Sequence, residues 1–84
     1  MSDIHEKHDS ERLDARGLIC PLPVIRTQDR VKTLASGTLL DVVATDPGAM
    51  HDIPAWCRVH GHEVVDLYRH DREIHVRVRV RHTD

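Results

Sequence analysis

Phenylalanine is absent from this 84-residue chain, and Trp56 and Tyr68 are its aromatic residues besides histidine. Any core must therefore be aliphatic, drawn from ten Val, seven Leu and five Ile. No apolar run approaches the roughly 18 residues that a membrane span needs, so no membrane association is expected. Neither sign of charge dominates: 12 Lys and Arg face 14 Asp and Glu, for a formal net charge of -2. A general nucleic-acid binder would carry a strong basic excess, so nucleic acid is an unfavoured partner. Cysteine is scarce too: Cys20 and Cys57 alone are too few for a four-thiolate zinc site. The N-terminal stretch is polar rather than apolar, so no secretory signal is expected. A cytoplasmic location, where thiols stay reduced, follows as the expectation.

The length predicts one domain. A chain this short buries only about 60% of the surface that its unfolded form exposes. A large enclosed substrate cavity is not expected, and the function should need a partner to complete it. Residues 1–10 read as a mobile polar tail, and residues 11–84 as the single domain.

Within the domain, Arg12-Leu13-Asp14-Ala15 alternates weakly and suggests a short edge strand ended by Gly17. Pro21 and Pro23 cannot sit in a helix interior but are tolerated in a first turn. A helix is predicted from Pro21 to about Ala35, with Val24, Val31, Leu34 and Ala35 on one side and Gly37 as its C-cap. Thr38 to Thr45 reads as a strand. Asp46 and Pro47 look like an N-cap and first helical position, opening a second helix that reaches about His60. Met50, Ile53, Trp56, Cys57 and His60 give it one buried stripe, Pro54 should kink or delay it, and Gly61 ends it. Glu63 to His70 and Glu73 to Arg81 read as strands. The last is the cleanest, with Ile74, Val76, Val78 and Val80 on one face. The link His70-Asp71-Arg72 suggests a hairpin without a favoured turn pair.

The predicted order is βαβαββ. Two helices packed on one four-stranded mixed sheet make an α/β fold, an α+β two-layer sandwich. A right-handed crossover makes the first two strands parallel. Their C-terminal ends then share one rim, which brings Arg16 to Cys20 beside Asp46. Cys20 stands just before a helix, where unsatisfied amides and the helix dipole favour a thiolate. A carboxylate nearby would oppose that effect.

The stretch Leu13-Asp14-Ala15-Arg16-Gly17-Leu18-Ile19-Cys20-Pro21-Leu22-Pro23-Val24 resembles the signature of the TusA-like (SirA-like) sulfur-carrier family. A second block is similar to it as well: Ala44 to Ala49, then Asp52 to Cys57, then Gly61-His62-Glu63. The resemblance runs from about Leu13 to Val80. It implies a βαβαββ fold and a Cys20 that accepts sulfane sulfur as a persulfide and hands it to a partner protein. The donor it implies is a cysteine desulfurase or rhodanese. The acceptor is a DsrE-like protein, serving tRNA thiolation, sulfur oxidation or cofactor sulfuration. No cofactor is expected beyond the covalent persulfide, and a monomer suffices. The supporting residues expected are Pro21 and Pro23, which shape the turn, Gly17, which lets the loop approach, and Asp14 and Asp46.

Other features receive plainer readings. Cys57 lies on the apolar stripe and reads as core, although a thiol redox sensor using Cys20 and Cys57 is an alternative. A non-catalytic regulatory or binding domain is another. The eight histidines show no ligand spacing and read as dispersed surface residues. The row Arg77, Arg79, Arg81 is a candidate partner-binding face, or else an ordinary solvated strand face.

Overall fold

The computed structural model describes residues 10–82. The mobile tail expected for residues 1–10 therefore falls outside the described residues except for Ser10, which already belongs to the first strand. The elements in chain order are β1 (Ser10–Ala15), α1 (Leu22–Val31), β2 (Leu39–Ala44), α2 (Ala49–His60), β3 (Glu63–His70) and β4 (Glu73–Arg79). The sheet order is β1-β2-β4-β3. β1 and β2 run parallel in register from Ser10↔Leu39 to Ala15↔Ala44, while β4 is antiparallel to both of its neighbours.

The core is as aliphatic as the composition requires. Leu40, Val42, Ile53, Ile74, Val76, Val78 and Val80 are each at most 1% exposed, and burial of each large side chain contributes about 1.5–3 kcal/mol. The alternation of β4 puts Ile74, Val76 and Val78 under the helices, where Ala49, Ile53 and Cys57 of α2 meet them at four-residue spacing. One helix face is thereby closed onto one sheet face, which is the reason two helices suffice for four strands.

Several sequence-based boundaries shift. α1 ends at Val31 rather than Ala35. The Thr33 hydroxyl bonds the Arg30 carbonyl at 2.7 Å, and the Thr33 and Leu34 amides close three-residue turns onto Arg30 and Val31. These bonds tighten the last turn and end the helix. Ala35 is consequently exposed instead of sharing the buried stripe. Gly37 is not the cap; it lies six residues past the end of the helix at Val31, and its amide donates to the Val80 carbonyl at 2.7 Å. α2 starts at Ala49 with Gly48 at its N-cap. Asp46 is thus not the N-cap: its carbonyl accepts the Ala49 amide, while its side chain turns elsewhere. His60 is exposed, although its ring lies against Trp56 at 4.8 Å between centroids. Pro54 sits inside α2, where it leaves the Met50 carbonyl without its usual donor. The hairpin pairs His70 with Glu73 around Asp71 and Arg72, and Asp71 takes φ 57. Aspartate tolerates this left-handed conformation better than most residues, which is how the turn forms without glycine.

Candidate functional site

Because β1 and β2 are parallel, the loops that follow them leave the same rim of the sheet. The β1–α1 loop carries Gly17, Cys20 and Pro21, and the β2–α2 loop carries Thr45, Asp46 and Gly48. One bond stitches the two loops: the Gly17 amide donates to Thr45 Oγ1 at 2.9 Å. A second is made at the cysteine itself, whose backbone amide donates to Asp46 Oδ2 at 3.2 Å. The carboxylate of Asp46 therefore fixes the Cys20 backbone.

Cys20 is exposed, with Pro21 as the N-cap residue of α1. The Cys20–Pro21 peptide is cis. Pro21 is exposed and Pro23 is buried against the core. Pro23 also receives the Thr27 hydroxyl on its carbonyl at 2.8 Å, a fully buried bond. The first turn of the helix is thus anchored from inside through Pro23, and Cys20 stands one residue before the cap. Ile19 is 70% exposed beside it. Leu22 and Ile25 also remain partly exposed, at 40% and 44%, on the first turns of α1. An accessible thiol surrounded by uncovered aliphatic side chains suits contact with another protein rather than capture of a small polar substrate.

Asp52, which the sequence reading did not single out, supplies the contact to sulfur. The Cys20 thiol donates to Asp52 Oδ2 at 3.1 Å. Asp52 lies 32 residues away in the chain, in the first turn of α2, and only the shared rim unites the two. No spacing near Cys20 points to Asp52, which stands one helical turn before Trp56 and just ahead of Pro54, on the first turn of α2. The thiol is held above its ordinary range, first by the bond to Asp52, then by desolvation from the neighbouring loop and the charges of Asp52 and Asp46. Both carboxylates therefore act against the helix start at Cys20.

The remaining supporting residues separate from the sulfur. Asp14 forms a two-pronged ion pair with Arg16, at 2.8 and 3.0 Å, and Arg16 reaches on to Glu73 at 3.3 Å. Arg16 holds the Asp14 carboxyl down to about 2. Asp14 is therefore a partner of Arg16 and makes no hydrogen bond to Cys20. Gly17 has open space where a Cβ would stand, so it is not there to let the loop approach. Its requirement is conformational: φ is +80, a region that L side chains rarely occupy. The close approach occurs at Gly48 instead. A Cβ there would meet Asp46 Oδ2 at 3.2 Å and Asp52 Oδ2 at 3.4 Å, with the Cys20 Cβ at 4.0 Å.

Cys57 is fully buried in the core, and burial pushes its thiol up to about 11. A thiol with that surrounding is packed rather than presented. β4 ends at Arg79 rather than Arg81, and the row Arg77, Arg79, Arg81 is not a free cationic face: Arg77 pairs with Asp41 at 2.7 Å, and Arg81 and Arg79 approach Glu63 at 2.8 and 3.6 Å. Three histidines are less dispersed than the sequence suggested. At the other end of the helices, His60 and His62 flank the Trp56 ring, and His62 meets His82 edge-on at 6.0 Å. Among the described residues no cluster of three or more His, Cys, Asp or Glu is arranged to hold a metal. Among the described residues no helix is long and apolar enough to cross a membrane.

Comparison with known proteins bears on the family and the fold. The family described as Sulfurtransferase TusA matches residues 11–80. A protein of Bacillus subtilis named as the putative sulfur carrier protein YrkI is 46% identical over 54 residues, covering 64% of this chain and 72% of that one. A sulfur carrier protein TusA of Pseudomonas paraeruginosa is 52% identical over 54 residues, covering 64% and 68%. Among solved structures, a SirA-like protein of Desulfitobacterium hafniense superposes with a TM-score of 0.75 at 20% identity, covering 84% of this chain and 97% of that one. At that identity the likeness carries the fold.

Proposed function

The chain belongs to the sulfurtransferase TusA family, and from that membership we propose that it is a sulfur carrier whose Cys20 holds sulfane sulfur as a persulfide. The observation that carries the assignment to Cys20 is the contrast between its two thiols, one exposed on the loop rim and one sealed in the core. In the transfer step the Cys20 thiolate attacks the outer sulfur of a persulfide on a donor cysteine. A sulfur–sulfur bond forms on Cys20 as the donor's own sulfur–sulfur bond breaks. The donor leaves as a thiolate that takes up the proton which Cys20 gave up. Oxidation level is conserved, so no cofactor, oxidant or reductant enters. The same exchange in the other direction delivers the sulfur to an acceptor cysteine.

The partners of this reading are a cysteine desulfurase or rhodanese as donor and a DsrE-like protein as acceptor, in the cytoplasm, with the carrier acting as a monomer. The exposed Ile19, Leu22 and Ile25 support docking of a protein over Cys20. Incubation with a desulfurase and cysteine should add the mass of one sulfur to the Cys20 peptide, and dithiothreitol should remove it. Equal loading of a Cys20→Ser variant would refute the assignment.

A further inference from the structure

We propose that Asp52 and Asp46 hold Cys20 as a neutral thiol in the free carrier, and that the sulfur-donating protein releases it by bringing a cationic group against this acidic pair. The inference rests on Cys20 being the sulfur-carrying residue.

The thiol is exposed but engaged, since its S–H donates to Asp52 Oδ2 at 3.1 Å. Asp46 holds the amide of the same residue at 3.2 Å. The bare backbone of Gly48 is the floor on which all three groups converge, as a Cβ there would lie within 4.0 Å of each. The charges acting on Cys20 among the described residues are these two carboxylates, both of the same sign. Arg16, four residues before the cysteine, does not offset them, because Asp14 and Glu73 occupy its guanidinium.

Ionisation of Cys20 would place a third negative charge on this floor and remove the donor that Asp52 accepts. Both effects disfavour the thiolate. Small anionic sulfur compounds would approach against the same field. A protein that sets a Lys or Arg beside Asp52 reverses the situation. It neutralises the carboxylate and supplies a donor in place of the S–H. The thiolate then forms where a protein donor is docked and stays scarce elsewhere.

The test is the rate of Cys20 alkylation by iodoacetamide, an uncharged reagent, followed by peptide mass from pH 6 to 10. Asp52→Asn should move the midpoint to lower pH and raise the rate at pH 7 about five- to tenfold, as expected for the loss of one adjacent charge. Profiles identical to wild type would overturn the proposal. Asp46→Asn should give a smaller shift in the same direction, and it carries the measurement if Asp52→Asn does not fold. The cation is tested by loading from two sources, inorganic polysulfide and a desulfurase with cysteine. Asp52→Asn should accelerate the polysulfide reaction more than the desulfurase reaction. Equal acceleration of both would refute a role for the donor's cation. Alkylation involves no sulfur transfer, so its failure would remove this inference and leave the Cys20→Ser result standing.

Discussion

Replacing Cys57 separates a packing role from a chemical one. Cys57 is 0% exposed and sits on α2 one turn after Ile53, within the same core cluster. Cys57→Ala deletes one heavy atom. By analogy with single-methyl deletions in cores this costs about 0.5–1.5 kcal/mol, and the better helix propensity of alanine returns about 0.5 kcal/mol. The net loss is about 0–1 kcal/mol, or at most a few degrees in Tm for a domain of this size. Cys57→Ser keeps the volume but buries a hydroxyl, at about 1–3 kcal/mol. Stability should therefore fall in the order wild type, alanine variant, serine variant, measured by urea unfolding at pH 7 with reductant present. The pH dependence gives an independent check. The folded Cys57 thiol titrates at about 11, above the roughly 8.5 of an unfolded cysteine. Between those values the unfolded state has lost a proton that the folded state keeps, so wild-type stability falls as pH rises through that window. The alanine variant lacks this decline, so the two curves should cross at or below about pH 9, with wild type the less stable above the crossing. Sulfur loading of both folded variants should match wild type. A folded Cys57→Ala protein that no longer loads or delivers sulfur would refute the packing role and make Cys57 a resolving thiol.

Two further outcomes follow from the loops and the histidines. Gly17→Ala forces a side chain into φ +80, costing about 1–2 kcal/mol, and it displaces the amide that donates to Thr45. Its urea midpoint should drop, and alkylation of Cys20 should change with it; an unchanged midpoint would refute the conformational argument. His62 accepts the Arg81 amide on Nδ1 at 3.0 Å, and desolvation, followed by His82 and His60, pulls its pKa below the usual value. The fold therefore prefers the neutral ring, and stability should fall as pH drops below about 6.5, where the unfolded histidine takes up a proton. The urea midpoint at pH 5.5 should be lower than at pH 7.5, with a smaller difference in His62→Asn; an equal difference in both would refute the assignment.

The elements were legible because their periodicities are unambiguous. The alternation of β4 and the four-residue spacing of Ile53 and Cys57 each have one geometric solution, and the βαβ handedness then fixes the shared rim. The errors lie where side chains choose between equivalent bonds. Asp46 has the sequence position of an N-cap, yet its carboxylate accepts the Cys20 amide from a loop 26 residues away. α1 stops at Val31 because a threonine hydroxyl competes for a carbonyl, which no hydrophobic pattern records. Gly17 and Gly48 look alike in sequence, but the first answers a dihedral angle and the second a crowded space. Asp52 escaped notice for the same reason: nothing local to Cys20 points to it.

The chemistry of Cys20 turns on a contest between a helix and a carboxylate, and the prolines explain its outcome. A helix N-terminus acts on an anion through its free amides, as about half a unit charge that fades beyond the first turn. Pro21 and Pro23 have no amide proton, and the Leu22 amide is engaged by the Ile19 carbonyl at 2.9 Å. The Cys20 amide is itself taken by Asp46. Little donor capacity remains for a thiolate placed one residue before the cap. Against it stands a full charge on Asp52 at 3.1 Å from sulfur, worth about 1 kcal/mol even in water and several times that at lower effective dielectric. The carboxylate prevails on magnitude alone. A motif that suggests activation by its position is thus, in this fold, a motif for restraint: it offers the sulfur atom to a docking protein while keeping it protonated towards the solvent.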